Sequence, residues 1–292
     1  MDRVTVEGAI DLHIHSHPCL FRRIGDDRAI VSAACSAGMR AVVLKCHHES
    51  SVSRAYLMDQ EFPQIRVFGG IVLNTYVGGI NPAAVEAALR LGGKAVWMPT
   101  IDSANHARTF GSTGGYGVQS GGRQAAQGIS ILVDGRITEA VQEVLRLIAQ
   151  YDVILGTGHL FPEEIVALVR AAKSAGVRKL VVNHPFFRVP NLDLPTLQEL
   201  IALGATAEID YCGVSPMWAW EGTNVARYCE AIATLGAQNC ILISDGGQRH
   251  NPLPAECLRV LAQCLFERGV SQVQLETMMR TKPAELLSLE SC

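Results

Sequence analysis

No stretch of about eighteen consecutive apolar residues occurs in the chain, so it has no candidate membrane-spanning helix. Basic runs of five or more residues are missing too, and the formal net charge is only -3, so the electrostatic footprint of a nucleic-acid binder is absent. Nine cysteines are scattered without a Cys-x-x-Cys pair, which reads as reduced thiols rather than a disulfide framework or a zinc knuckle. No basic segment leading into an apolar stretch and a small-residue cleavage site opens the sequence. Together these absences predict a soluble, cytoplasmic protein whose partner is a small molecule, with neither nucleic acid nor membrane involved. Charged residues are scarce at 18% against 48% hydrophobic, which excludes disorder and leaves ample material for a large buried core.

What is there is a rhythm. Short β-rich runs cover 8–14, 40–45, 66–73, 94–98, 152–156, 179–183, 206–210 and 239–244. Amphipathic stretches separate them at 27–37, 82–91, 138–150, 162–175, 194–203, 224–235 and 254–268, several closed by Gly, as in Ser174-Ala175-Gly176. Eight strands alternating with helices predict an α/β protein, a (β/α)8 TIM-like barrel in a single domain over 1–292. An open doubly wound sheet fits less well, because no Gly-x-Gly-x-x-Gly follows the first strand. Residues 100–137 interrupt the rhythm after strand four with a Gly-rich loop, read as a lid carrying a short hairpin arm at 129–135, and 270–292 read as a helical closure.

The chemistry lies at the strand ends. Strand one finishes Asp11-Leu12-His13-Ile14-His15, and alternation in a strand places His13 and His15 on one face with Asp11 beneath them. Neutral imidazole is a common ligand for zinc and similar ions. Strand five ends at His159, strand six at His184 and strand eight at Asp245, so all five side chains should converge on the C-terminal mouth of the barrel.

On these residues the sequence resembles the amidohydrolase superfamily of metal-dependent hydrolases, and above all a small, uncharacterised bacterial branch of it. The tail Met278-Met279-Arg280-Thr281-Lys282-Pro283-Ala284-Glu285-Leu286-Leu287 is similar to that superfamily's closing helix. The resemblance implies one or two divalent cations, zinc first, with manganese, iron or nickel as alternatives. It implies that His13, His15 and Asp245 hold one metal. His159 and His184 would hold a second, or in a one-metal site one would ligate while the other polarises substrate. Asp245 would also accept the proton of the attacking water.

Strand four departs from that pattern, since Met98-Pro99-Thr100-Ile101-Asp102 offers no bridging lysine or glutamate. Lys45 and His47 at the end of strand two share the inward parity and are further candidate metal ligands. Lys45 is the candidate replacement, as a carbamate or a free amine with a lowered pKa, and its alternative is an ion pair with Asp11 or Asp245. His47 also resembles the strand-two histidine of the polymerase-and-histidinol-phosphatase family, although Cys46 stands where that family has Asp. Glu208 is read as orienting a ligand histidine or as a simple strand-end residue.

Substrate contacts are expected from Arg22, Arg23, His106, Tyr116, Arg123, Phe186, Arg188, Trp218 and Trp220, on the loops after the strands. The expected activity is metal-dependent hydrolysis of a C-N or C-O bond in a small organic acid derivative, with Asp245, Lys45 and His184 in catalytic roles. A phosphoesterase, a decarboxylase on the same scaffold and a non-catalytic metal-binding barrel stay open, as does assembly into a homo-oligomer through an exposed apolar helical face.

Overall fold

The structure is a computed structural model and describes residues 3–117, 119–217 and 222–290. Eight strands follow one another around a single parallel sheet: β1 (Ile10–Ile14), β2 (Ala41–Leu44), β3 (Arg66–Val72), β4 (Ala95–Trp97), β5 (Ile154–Gly156), β6 (Leu180–Val182), β7 (Ala205–Asp210) and β8 (Cys240–Ile243). The ends of that sheet meet where Ile14 bridges Gly246 and the His15 N–H donates to the Gly246 carbonyl at 2.8 Å. The result is a nearly closed (β/α)8 barrel.

Helices cover the outside, and their starts are written in the sequence. Asp26, Thr138, Asp193 and Asn224 each cap the helix that follows by accepting an N–H three residues on. The helical face Val141, Val144, Leu145 and Ile148 is wholly buried against the barrel. Two helices escape the periodic reading, Val52–Glu61 and Ala104–Phe110. The first has few apolar residues to mark it and exposes Tyr56 and Leu57, while the second lies inside the Gly-rich insertion.

Inside the barrel a separate core of Ile10, Leu12, Val43, Val72, Trp97, Val181, Ile241 and Ile243 is closed from below by Ala284, Leu286 and Leu287 of the helix Lys282–Leu287. Trp97 fits because its neighbours are glycines. A Cβ on Gly156 would lie 2.2 Å from the indole, and one on Gly70 would lie 2.1 Å from the Ala95 carbonyl and 2.7 Å from the indole. Trp97 thereby becomes the floor of the site above it.

Strand β1 carries a register irregularity between Asp11 and Ile14. Simple alternation therefore fails there: Leu12 belongs to the inner core and Ile14 to the outer one. The Asp11 carboxylate accepts the His13 N–H at 3.1 Å and the Ser244 N–H at 3.2 Å, tying β1 to the end of β8. Asp11 is a structural clasp at the bulge rather than a residue beneath the histidines.

The described residues of the insertion after β4 form a helix and two short ribbons. A two-residue turn at Asp134 and Gly135, both with positive φ, joins the ribbon Leu132–Val133 to Arg136–Ile137, which forms the expected arm. A second ribbon pairs Gly115–Tyr116 with Gln119–Ser120. It is drawn over the mouth by His48, whose Nε2–H donates to the Gly121 carbonyl at 2.5 Å.

Candidate metal centre

Three candidate ligand side chains, two His and one Asp, meet at the C-terminal mouth. The Nε2 atoms of His13 and His15 each lie 3.2 Å from Asp245 Oδ1, and the ligand atoms of these three residues fall within 4.8 Å of one another. Among the described residues this is the one such cluster of His, Cys, Asp or Glu. Two of the mouth residues hold backbone in the left-handed region, His184 at φ 24° and Asp245 at φ 43°, a strain typical of positions fixed by their surroundings.

The partners of the outer ring nitrogens fix the tautomers. The Lys45 carbonyl, an acceptor only, lies 2.9 Å from His15 Nδ1, so Nδ1 carries the proton and Nε2 a lone pair. The Lys45 ammonium donates to His13 Nε2 at 3.0 Å, and His13 Nδ1 in turn donates to Glu208 Oε2 at 3.3 Å. Burial keeps both rings neutral: His13 is pushed down to about 3 by desolvation and then by Lys45, and His15 well below its usual value by desolvation and then by Arg23. Neutral imidazole is the ligating form. The His15 lone pair thus faces a carboxylate oxygen with no hydrogen between them, an arrangement that a cation resolves. The donor set fits a divalent metal.

Lys45 reaches the grip as the partner of His13, not of Asp11. Its Nζ also lies over the Trp97 ring, 5.2 Å from the centroid. Burial pushes its pKa down to about 8, against the opposing pull of Asp245 and Glu208. Glu208 has the orienting role, since the carboxylate that accepts from His13 also accepts the His184 N–H at 3.2 Å.

His159 and His184 flank the cluster without joining it. Their rings are 5.0 Å apart, and that of His184 is 5.9 Å from His13. The Nδ1 of His184 is buried and has no hydrogen-bond partner. His47 stacks on His15 at 4.7 Å while its Nδ1 meets Thr100 Oγ1 at 2.9 Å. Thr100, from the bridgeless end of β4, is therefore a support for His47, and it also accepts from Asn74.

A cavity of about 630 Å³ opens above the cluster. Its walls include His15, His47, His159, His184 and Asp245, together with Phe21, Arg22, Arg23, Tyr116 and Phe187. His106 is absent from them. It is fully buried in the helix Ala104–Phe110, where a side chain cannot reach the cavity past His159. Arg123 and Arg188 do not line it either, the latter lying over the Phe110 ring, and Phe186 is a core residue beside Tyr228. Trp218 and Trp220 lie outside the described residues. Gln248, Arg249 and His250 on the wall went unread in the sequence, although their position directly after Asp245 was the available signal.

Cys19 brings a second cluster beside the mouth. Its Sγ accepts from Arg23 Nε at 3.3 Å and meets His48 Nδ1 at 3.8 Å. The hydrogen bond from the Cys46 thiol, followed by His48 and Arg23, pulls the Cys19 thiol down, while Cys46 is pushed up.

No curated protein matches the sequence significantly. Among solved structures, a candidate 2-pyrone-4,6-dicarboxylic acid hydrolase from Pseudomonas putida aligns with a TM-score of 0.64 and 16% identity over 99% of this chain and 100% of that one. An amidohydrolase from Burkholderia multivorans with bound zinc aligns at 0.61 and 12% identity, over 97% and 99%. A PTE-like lactonase mutant from Deinococcus radiodurans aligns at 0.59 and 15% identity, over 97% of each chain. At such identities the likeness is one of fold. The sequence match is more direct: over residues 8–208 the chain fits a family of unknown function, DUF6282, and it belongs to that family.

Proposed function

We propose that the protein is a metal-dependent hydrolase of the amidohydrolase kind, cleaving a C-N or C-O bond in a small organic acid derivative. One observation carries this reading: at the mouth of a barrel the His15 lone pair faces a carboxylate oxygen with no hydrogen between them, and the neutral His13 Nε2, which accepts from Lys45, lies the same 3.2 Å from that oxygen. The amidohydrolase and lactonase named above share this fold, which supports the same class of chemistry. His13, His15 and Asp245 would hold the cation, with zinc the first expectation. A divalent cation bound there would supply a Lewis acid that lowers the pKa of water and polarises a substrate carbonyl.

The chain's own residues do the rest. Asp245 stands beside both ligand nitrogens, where its carboxylate can take a proton from water and return it to the leaving group. Glu208 and the Lys45 carbonyl keep the two imidazoles turned nitrogen-first to the site. His184, with a free buried Nδ1, is placed to donate to or accept from the reacting group. The floor of Trp97 and the wall of Phe21 exclude bulk water and strengthen each of these interactions.

The test is metal analysis of the purified protein, followed by assays of the zinc- and manganese-loaded forms on lactones, cyclic amides, esters and phosphate esters. Hydrolysis of a lactone or amide that is abolished in His13→Ala and Asp245→Asn is the expected result. Protein that takes up no divalent cation, or variants as active as the parent, would end the proposal, and turnover confined to phosphate esters would move it to the phosphatase reading.

A further inference from the structure

Arg23 is buried, its residue retaining 7% exposure, yet it forms no ion pair with a carboxylate among the described residues. Arg23 and Lys45 are the buried Arg and Lys residues of the described chain, and Lys45 is already engaged with His13. The Cys19 sulfur answers the Arg23 charge on the Nε edge alone, and a buried N–H that donates to nothing costs free energy which a ligand accepting from it would recover.

The surroundings define which part of the group is left over. The Arg23 N–H donates to His17 Nε2 at 3.0 Å, and Arg23 pairs with Gln248 in an antiparallel bridge reinforced by the Ile24 N–H on the Gly247 carbonyl at 2.9 Å. The backbone bearing Arg23 is thus zipped to the loop that follows Asp245. Its Nε edge is occupied by Cys19 Sγ at 3.3 Å, and the guanidinium carbon sits 5.5 Å from the centre of the Phe21 ring. Nη2 is buried without a partner. Only the terminal pair of nitrogens is unspent, on a residue that lines the same cavity as the cation grip.

From this geometry we propose that Arg23 is the carboxylate-binding residue of the site, receiving a planar acid end-on through Nη1 and Nη2 while the rest of the ligand extends towards His15 and Asp245. Two coplanar nitrogens match the two oxygens of a carboxylate. The neighbouring walls, Phe21, Tyr116 and Phe187, are flat and aromatic and suit a planar ligand better than a tetrahedral phosphate. The assignment rests on the hydrolase reading for its meaning in turnover, but carboxylate binding itself needs no turnover.

Calorimetric titration of benzoate, benzamide and inorganic phosphate into metal-free and zinc-loaded protein tests it. Benzoate should bind both forms and benzamide neither, and Arg23→Gln should weaken benzoate by about tenfold or more, the scale of one charge-assisted pair. Arg123→Gln, away from the cavity, should leave the binding as it is. Should Arg23→Gln fail to fold, Arg23→Lys keeps the charge and loses the paired nitrogens, so it too should weaken benzoate. An unchanged affinity in either folded variant, no benzoate binding by the parent, or phosphate bound in preference to benzoate would each overturn the proposal. Arg23-dependent benzoate binding by a protein that takes up no metal would remove the hydrolase reading and leave the anion site standing.

Discussion

His106 and His159 face each other through their Nδ1 atoms at 3.0 Å, with the rings stacked at an interplanar angle of 15°. Because His106 Nε2 donates to the Gly115 carbonyl at 2.6 Å, its Nδ1 is the acceptor. His159 must then carry its proton on Nδ1 and present Nε2 as a lone pair. A buried residue of the insertion thereby sets the tautomer of a cavity residue. Replacing His106 with Phe should leave the His13, His15 and Asp245 grip in place and lower the affinity for a second divalent ion by about tenfold, as for other residues standing behind a ligand. Competition with a chromogenic chelator at one and two equivalents of zinc separates the two events.

Metal removal should cost stability. An ion that binds the folded chain alone adds about 2.7 kcal/mol at a free concentration of 100 times its Kd. Calorimetric melting with zinc and after chelation should show that shift, and it should vanish in Asp245→Asn. An equal shift in the variant would place the binding elsewhere.

Asp210 provides a pH signature. Burial, then Asp245, pushes its carboxyl up to about 7, while it accepts from Tyr228 Oη at 3.0 Å and from the Gly213 N–H. The unfolded chain releases this proton near its usual value of 3.8, so between about 4 and 7 the folded state holds more proton and stability falls as pH rises. Asp210→Asn has no proton to lose. Its stability relative to the parent should grow through that window and level off above pH 7, at roughly 2–4 kcal/mol for a fully buried group. Urea denaturation at pH 4.5, 6 and 8 measures the trend.

Gly156→Ala should destabilise by about 3 kcal/mol or more, because the methyl group meets the Trp97 indole at 2.2 Å and a packed core yields little. The fluorescence of Trp97 should shift with it, which distinguishes a moved floor from a general loss of stability.

Glu164 holds the insertion arm to the helix Pro162–Ser174, accepting from the Ile131 N–H at 3.0 Å, the Phe161 N–H at 3.0 Å and the Ser130 hydroxyl. Glu164→Ala removes the acceptor of all three, leaving the buried Ile131 N–H unpaired. Limited proteolysis should then cut within 129–137 at least about tenfold faster, the scale of one lost charged hydrogen bond.

Much of this was legible in the chain. Eight β-rich runs and their Gly-terminated helices are local signals, so the barrel could be read from them, and ligands at strand ends follow from the strands. The bulge in β1 was not legible, since the irregularity depends on how Asp11 is shared between His13 and Ser244. The role of His106 was misread for a similar reason: a loop histidine looks available until the loop folds under itself and buries it. Lys45 could be placed near the grip by parity, but its choice of His13 over Asp11 is a tertiary distance. The left-over edge of Arg23 depends on Cys19, a thiol whose neighbours no spacing rule supplies.

The clasp between Asp11 and Ser244 joins positions 233 residues apart. During synthesis β1 therefore waits beside an unpaired edge until β8 has left the ribosome, and His13 and His15 wait with it for Asp245. An exposed strand edge invites pairing with other chains, so the nascent protein is most vulnerable just before its last strand arrives. The His13, His15 and Asp245 cluster is thus complete only once β8 has closed on β1.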